Sequence, residues 1–173
     1  MASGVRVFIA TSRDGFIAGP DDDLSWLPDG HGGEDYGYEA FMADTAAIVM
    51  GRRTHDVVQG FGTDWPYGDT PVFVVTSRPL ETDEPSVQAV SGTPAEILAR
   101  VRRVTDGGVY VDGGEVIRQF LDAGLIDEAT ITVIPVDIGE GVPLFAKDAQ
   151  RQRLREGEHR VFPSGVEQRH LTR

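Results

Sequence analysis

The chain has 173 residues, 40% of them apolar and 25% charged, a composition that is ordinary for one globular domain. Its formal net charge of −12 disfavours a nucleic-acid partner, although an anionic small molecule needs only local positive charge. No apolar run approaches the roughly 18 residues of a membrane helix, the N-terminus lacks a signal-peptide pattern, and cysteine is absent. We therefore expect a single cytoplasmic domain over residues 1–173, with no membrane or nucleic-acid partner.

Short apolar runs rich in β-branched residues recur along the chain and are typical of strands buried on both faces. They lie at residues 5–11, 46–50, 72–76, 109–111 and 130–136. Between the first two runs, residues 18–33 form the longest irregular stretch, rich in Asp, Gly and Pro. Loops of this length in a compact domain often have a function.

The clearest helix is TPAEILARVRRV, residues 93–104. Thr93 can cap it, Pro94 takes the first helical position, and Glu96 completes a capping box. Its apolar stripe ends at Val104. A second helix is predicted from Glu115 to Asp122, ended by the glycine at position 124.

The C-terminal segment breaks the alternation of strands and helices. Two polar, alternating stretches flank Pro163-Ser164-Gly165, which predicts an antiparallel hairpin. Strands that alternate with helices favour a largely parallel sheet covered on both faces, so the hairpin makes the sheet mixed.

Small or polar residues follow four of the predicted strands. These junctions are Asp14-Gly15, Gly51-Arg52-Arg53-Thr54, Thr76-Ser77-Arg78 and Asp112-Gly113-Gly114. Ligands of parallel α/β sheets bind beyond the carboxyl ends of the strands, where helix N-termini offer unpaired N–H groups. The junctions predict a divided anion site; the alternative is a set of tight connections with solvated arginines. GxGxxG and GxxxxGK[ST] are both absent, so a nucleotide site here would be of another type.

Other reaction classes have little support in the sequence. The four histidines, one of them His31 in the Gly-rich loop, show no metal-ligand spacing, and we expect no metal. No GxSxG motif is present. Lys147, the single lysine, lies in a polar stretch, which disfavours Schiff-base chemistry.

Five segments in chain order resemble the dihydrofolate reductase superfamily, and more closely its riboflavin-biosynthesis branch, the RibD C-terminal domain type. They are IATSRDGFIAGPDDDLSWL, IVMGRRTHDVV, VFVVTSRPL, VYVDGGEVIRQFLDAGLIDEATITVIPVDIGEGVPLF and FPSGVEQRHLTR. Together they span nearly the whole chain. The resemblance implies a dihydrofolate reductase-like three-layer α/β/α fold, with a central mixed, mostly parallel sheet of about eight strands and a C-terminal antiparallel hairpin.

The resemblance also implies an NADPH site across the strand ends. The residues that would hold the pyrophosphate are Gly51, Arg52, Arg53 and Thr54 on one side, and Gly113, Gly114, Glu115 and Val116 on the other. The residues that would receive the adenosine part are Thr76, Ser77 and Arg78, with Arg78 on the 2′-phosphate, since a guanidinium suits a phosphate. Ala10, Thr11 and Ile17 would border the nicotinamide. Because strand side chains alternate, we expect Asp112 to point to a backbone donor or a ribose hydroxyl rather than to phosphate.

The proton source is less sharply defined. By resemblance a carboxylate on the first helix would serve, and Asp35, sixteen residues before Gly51, is the nearest equivalent. Glu34 and Glu39 are alternatives, and so is a purely solvated role for all three.

The leading hypothesis is an NADPH-dependent reductase of the 5-amino-6-(5-phosphoribosylamino)uracil type, acting as a homodimer. Residues 18–39 contain no Lys or Arg, which counts against a phosphorylated substrate. The alternatives are a dihydrofolate reductase-like enzyme with another pterin or xenobiotic substrate, and a non-catalytic nucleotide-binding dimeric module.

Overall fold

A computed structural model describes residues 3–28 and 34–173, so His31 lies outside the described residues. The strands are β1 (Val5–Ser12), β2 (Phe16–Ala18), β3 (Thr45–Gly51), β4 (Val72–Val75), β5 (Val87–Val90), β6 (Gly108–Asp112), β7 (Glu128–Ile134), β8 (Val142–Pro143), β9 (Arg155–Val161) and β10 (Glu167–Thr172). The helices are α1 (Tyr38–Ala43), α2 (Arg52–Gly60), α3 (Pro94–Val101), α4 (Gly114–Asp122) and α5 (Asp148–Arg151), with a 3-10 turn at Pro20–Asp22.

Eight strands form one sheet in the order β5-β4-β3-β6-β1-β7-β10-β9, and β2 pairs with β8 separately. The strands from β5 to β7 are parallel to their neighbours, whereas β10 is antiparallel to both β7 and β9. The predicted mixed, mostly parallel sheet and the C-terminal antiparallel hairpin are confirmed.

Alternation along the strands gives the sheet two different faces. Val7 and Val111 face the main core, which α3 and α4 cover; we call this side the α4 face. Phe8 and Tyr110 point the other way, towards α1 and the segment around Trp65; we call this side the α1 face. Each side of the sheet is therefore covered, as the near-continuous apolar strands predict.

The predicted helix at 93–104 is confirmed over Pro94–Val101, with its capping box. Thr93 accepts a hydrogen bond from the Glu96 N–H, and the Glu96 carboxylate accepts one from the Thr93 N–H at 2.8 Å. The inclusion of Val104 in the apolar stripe is wrong: it is 55% exposed, because the chain turns after Val101 to enter β6.

No helix within the described ranges is long and apolar enough to cross a membrane.

Candidate functional site

Two of the four predicted junctions meet at a point where the sheet connections diverge. Strands β3 and β6 are neighbours, with Met50 opposite Asp112. The chain leaves β3 through α2 towards β4 on one side, and leaves β6 through α4 towards β7 on the other. In open α/β sheets, the ligand crevice lies at the carboxyl ends of such diverging strands. The fold therefore brings the 51–54 and 113–116 segments to the position where a ligand is expected.

Both helices that start at this point lack a side-chain cap. The N-cap residues are Gly51 for α2 and Gly113 for α4, and neither makes a side-chain capping hydrogen bond. Helix α3, by contrast, has a complete capping box. The first N–H groups of a helix need partners and carry partial positive charge. Two adjacent uncapped N-termini are therefore suited to an anion such as a pyrophosphate.

The two helix starts pack against each other at their glycines, and Gly113 in particular leaves no room for a Cβ. Gly113 has φ +92°, and a Cβ at this position would overlap Thr54 Oγ1 and lie 3.5 Å from the Gly51 backbone nitrogen. A Cβ at Gly51 would lie 3.4 Å from Val116 Cγ2. The two segments that the sequence predicts as separate parts of one anion site are thus in direct contact.

Ile17 also reaches this point from the β2 segment. A Cβ at Gly114 would lie 2.8 Å from Ile17 Cδ1 and 3.1 Å from Val142 Cγ1. Glu115 is exposed in the first turn of α4, and Val116 is buried beneath it. Of the residues predicted for this side, Glu115 is the one whose side chain faces solvent.

The predicted arginines differ in whether their guanidinium groups already have hydrogen-bond partners. Arg52 donates to Asp56 and to the Pro79 carbonyl, each at 3.0 Å, and Arg53 donates to Asp22. The Arg78 guanidinium is exposed and makes no hydrogen bond or ion pair with the described part of the chain. Exposed ion pairs contribute about 0–1 kcal/mol, so an incoming phosphate can displace those of Arg52 and Arg53.

The Thr76-Ser77-Arg78 turn continues the same edge of the sheet. Val75 pairs with Gly51, so the turn follows β4 directly beside the start of α2. The Arg78 N–H donates to Thr76 Oγ1 at 3.2 Å, which fixes the turn. Three of the predicted junctions therefore lie side by side.

Asp112 belongs to a group of tyrosines on the α1 face. Its carboxylate accepts a hydrogen bond from the Gly113 N–H at 2.8 Å, a backbone donor of the kind that was expected. Burial raises the pKa of Asp112, against the opposing effects of the Gly113 N–H and of the nearby Tyr110 hydroxyl, which itself donates to the Phe8 carbonyl at 3.1 Å. Burial, and secondarily the charge of Asp112, raises the pKa of Tyr38 and Tyr67. We call Asp112, Tyr38, Tyr67 and Tyr110 the tyrosine cluster.

Further aromatic rings form the base of this cluster. The Phe8 ring lies 5.5 Å from that of Tyr38 and 5.0 Å from that of Phe41. Phe41 in turn packs edge-on against Tyr110 at 5.0 Å. Tyr38 is 38% exposed, so the cluster reaches the surface at the carboxyl end of β6.

The carboxylates predicted as proton sources lie at the start of α1. Asp35 is exposed and accepts from the N–H groups of Gly37 and Glu39, at 2.9 and 3.0 Å, and these bonds lower its pKa. Glu34 accepts from the Tyr36 N–H, and Glu39 is exposed in the first helical turn. Their catalytic role stays a prediction, and the surroundings of Asp35 favour its ionised form.

Ala10 and Thr11 lie on opposite faces of the sheet. Ala10 points to the α1 side and packs against the buried cluster of Ile134, Phe162 and Val166. Thr11 is buried and lines a cleft of about 490 Å³ on the α4 face, together with Ile131. Of these neighbouring residues, Ala10 is the one on the same face as the tyrosine cluster.

Sequence reasoning named Asp112 but missed the three tyrosines that lie around it. Tyr110 could have been found, because it precedes Asp112 by two positions on one strand and therefore shares its face. Tyr38 and Tyr67 come from α1 and from the segment after α2, and no local pattern connects them. Within the described ranges, no group of three or more His, Cys, Asp or Glu side chains could hold a metal ion.

These features define an α/β protein in which two uncapped helix starts meet at the carboxyl edge of the sheet, with an aromatic cluster around Asp112 beside them. The RibD C-terminal domain family model matches residues 4–167, so the chain belongs to that family. The resemblance predicted from the sequence is confirmed.

Individual proteins are similar to this chain in sequence or in fold. The uncharacterized protein YwjB of Bacillus subtilis (strain 168) is 31% identical over 162 residues, which cover 93% of each chain. A candidate riboflavin biosynthesis protein from Shewanella sp. PV-4 has 35% identity and a TM-score of 0.85, with 98% of each chain covered. Dihydrofolate reductase from Enterococcus faecalis, solved with NADP(H), shares 18% identity and a TM-score of 0.70 over 100% of this chain and 98% of its own. The predicted dihydrofolate reductase-like fold is confirmed.

Proposed function

We propose that the protein is an NADPH-dependent reductase of a pyrimidine- or pterin-like heterocycle. The observation that carries the proposal is the contact between the uncapped starts of α2 and α4, at Gly51 and Gly113. Such a pair of N–H-bearing termini suits a pyrophosphate. Membership of the RibD C-terminal domain family and the fold shared with an NADP(H)-binding dihydrofolate reductase support the same cofactor.

In this proposal the cofactor lies along the edge of the sheet. The 51–54 and 113–116 segments hold the pyrophosphate, and Thr76, Ser77 and Arg78 receive the adenosine part. Arg78 suits the 2′-phosphate because its guanidinium has no partner among the described residues and can form two hydrogen bonds with a phosphate. Ala10, Thr11 and Ile17 border the nicotinamide; among them Ile17 has the strongest structural support, because it contacts the Gly114 position.

The chain itself must orient the heterocycle and supply a proton. When bound, NADPH provides the reducing equivalent. Asp112 fits the proton-donating role, since burial raises its pKa and a general acid works best with a pKa near the operating pH. Asp35 and Glu39 remain the alternatives, but the lowered pKa of Asp35 suits an acceptor.

Binding and turnover can be tested separately. Titration with NADPH and NADH, followed by cofactor fluorescence, should show saturable binding with a preference for NADPH. Oxidation of NADPH should then depend on an added pyrimidine or pterin. The absence of saturable binding of either cofactor would overturn the proposal. Binding without oxidation by any heterocycle would favour a non-catalytic nucleotide-binding module.

The finer substrate assignment has two candidates within the class. One is 5-amino-6-(5-phosphoribosylamino)uracil, in the riboflavin pathway to which the family and the Shewanella relative point. The other is an unphosphorylated pterin or related compound, as in a dihydrofolate reductase-like enzyme.

We also propose a cytoplasmic homodimer. Strand β9 is at the edge of the sheet and every one of its residues is exposed, so its unpaired backbone groups can pair with a second copy. Sedimentation at several concentrations tests this assembly, and a monomer throughout would contradict it.

A further inference from the structure

A small cavity lies at the edge of the sheet opposite to the proposed cofactor site. Helix α4 begins at the carboxyl edge and ends at Asp122, about 12 Å further on, and the cavity is next to this end. Its volume is about 290 Å³, and the buried side chains of Leu121 and Ile126 contribute apolar surface to it. Three arginines also line it, and no Asp or Glu does so among the described residues. The lining is therefore positive in a chain whose net charge is −12.

The C-terminal hairpin brings these three arginines together. Arg153 follows α5, Arg155 begins β9, and Arg173 follows β10. Because β9 and β10 are antiparallel, the start of one strand lies beside the end of the other, and Thr172 pairs with Arg155. Residues that are 18 to 20 positions apart in the sequence thus surround one cavity, which we call the arginine cavity.

The end of α4 holds two of the arginines in place. Arg153 donates to the Asp122 carbonyl at 3.3 Å, and Arg173 donates to the Gly124 carbonyl at 2.8 Å. Cations are favourable beside the partial negative charge of a helix C-terminus. A guanidinium carries five N–H donors, and these bonds use only some of them. Two guanidiniums are therefore positioned by backbone groups while N–H donors remain for a ligand.

Two of the three positive charges have no carboxylate partner. Arg173 forms an ion pair with Asp127 at 2.7 Å. Arg153 donates to a backbone carbonyl, and the exposed Arg155 side chain makes no hydrogen bond or ion pair with the described part of the chain. The positive charge around the arginine cavity is thus compensated only in part.

The larger cleft on the α4 face, of about 490 Å³, differs in this respect. It is also lined by three arginines, Arg13, Arg151 and Arg169, but each of them forms an ion pair with an Asp or Glu. An anion that entered this cleft would have to compete with those carboxylates. Of these two concave surfaces, the arginine cavity is therefore the one whose charge favours an anion.

We propose that the arginine cavity is a second anion site, which binds the dianion of a phosphate group. The planar fork of a guanidinium matches phosphate oxygens through paired hydrogen bonds, and two uncompensated charges favour a dianion over a monoanion. The volume is at the lower end of the range for ligand pockets, which suits a compact group. The inference does not depend on the proposed reductase function, because the two sites lie at opposite edges of the sheet.

Backbone ¹H–¹⁵N NMR spectra of the whole chain can locate the bound anion. The protein is titrated with inorganic phosphate, with glycerol 3-phosphate and with sodium chloride at equal ionic strength, each in the presence of NADP⁺ to fill the proposed cofactor site. Both phosphates should shift the amide signals of Gly124, Ile126 and Gln152 in a saturable manner, and chloride should not.

The titrations also identify the source of the phosphate group. Tighter binding of glycerol 3-phosphate identifies an ester whose carbon chain contacts Leu121 and Ile126, and equal binding identifies free phosphate. The absence of saturable shifts at the arginine cavity, or equal shifts with chloride, would overturn the inference. Failure of NADP⁺ to shift Gly51 or Gly113 would instead count against the proposed function and leave the phosphate titration readable.

Variants of a single arginine separate a specific site from the general effect of charge. Arg155→Gln should raise the phosphate dissociation constant about tenfold, the usual effect of a lost hydrogen bond to a charged group. Arg155→Lys should recover part of the affinity, because it restores the charge without the planar fork. Tm without phosphate should stay the same in both, since the Arg155 side chain has no partner within the described part of the chain.

Arg103→Gln is the matched control. Arg103 follows α3, its side chain is exposed, and it lies outside the lining of the arginine cavity. The variant makes the same change of net charge and should leave the phosphate dissociation constant unaltered. Equal weakening by Arg103→Gln and Arg155→Gln would overturn the inference, because it would show a response to net charge alone.

Discussion

Replacement of Gly113 by alanine tests whether the contact between the two helix starts holds the site together. Gly113 has φ +92° and ψ 132°, a backbone conformation that is nearly restricted to glycine. The added Cβ would also overlap Thr54 Oγ1 on α2. The substitution therefore imposes backbone strain and forces α2 and α4 apart where the pyrophosphate is proposed to bind.

The two effects can be estimated separately. Backbone strain of this kind costs about 1–3 kcal/mol. Insertion of a methyl group into a packed contact costs about 1–3 kcal/mol more. The free energy of unfolding should thus fall by about 2–6 kcal/mol, a large part of the roughly 5–15 kcal/mol of a typical domain. For a chain of this size, each kcal/mol lowers Tm by roughly 2–4 °C.

Urea unfolding of a small set of variants isolates the terms. Gly139→Ala is the matched control, because Gly139 has φ +80° and no atom within 4 Å of an added Cβ, so it should show the strain alone. Thr54→Ala removes the overlapping hydroxyl and should partly restore the stability of Gly113→Ala in a double-mutant cycle. If Gly113→Ala is no more destabilising than Gly139→Ala, or if Thr54→Ala gives no rescue, the two helix starts do not depend on this contact.

Three further substitutions address the cofactor and substrate sides. Gly51 has a φ of −70°, which alanine can adopt, and an added Cβ would lie 3.4 Å from Val116. Gly51→Ala should therefore change the free energy of unfolding by less than about 1 kcal/mol. The dissociation constant of NADPH, measured by fluorescence titration, should rise about tenfold or more. Arg78→Gln should weaken the binding of NADPH about tenfold and leave the binding of NADH unchanged. Equal affinity of the wild-type protein for both cofactors would refute a role of Arg78 at the 2′-phosphate. Asp112→Asn should lower kcat by about 10²- to 10⁴-fold. A larger loss of kcat in Asp35→Asn would identify Asp35 as the proton donor instead. Because the pKa of Asp112 is raised in the folded state, the folded protein binds this proton more tightly than the unfolded chain does. The free energy of unfolding of the wild-type protein should therefore fall as the pH rises from the pKa of the unfolded state through that of the folded state. Asp112→Asn should remove this pH dependence, as measured by unfolding at a series of pH values.

The sequence predicts the strand-to-helix junctions at which the cofactor is proposed to bind, because their signals are local. A strand that runs through Gly51 or Gly113 into a helix is visible in a few consecutive residues, and parallel strands place all such junctions at one edge. The capping box at Thr93 and Glu96 is local as well, and it is observed as predicted. Strand β5 was missed because it has four residues with an exposed centre, which leaves no apolar run to detect.

The substrate half depends on contacts that no local pattern encodes. Tyr38, Tyr67 and Tyr110 come from a helix, a loop and a strand, and only the packing of Phe41 between Phe8 and Tyr110 brings α1 onto the sheet at this place. The sequence pointed to Asp35 as the carboxylate because it lies a fixed distance from Gly51. Which carboxyl donates the proton stays a prediction, because a distance along the sequence does not report burial, on which retention of a proton depends.

The two halves of the site resolve the apparent conflict between a net charge of −12 and an anionic cofactor. At the proposed cofactor end, backbone N–H groups and Arg52, Arg53 and Arg78 would supply a positive potential that acts over a few ångströms. Repulsion from exposed carboxylates elsewhere is screened over about 8 Å at physiological ionic strength, so it does not cancel this local attraction. At the substrate end, the absence of basic residues between Arg13 and Arg52 leaves the acidic character uncompensated. Asp112 lies between these two ends: its carboxylate accepts from the Gly113 N–H, and the start of α4 beyond it is where the pyrophosphate is proposed to bind.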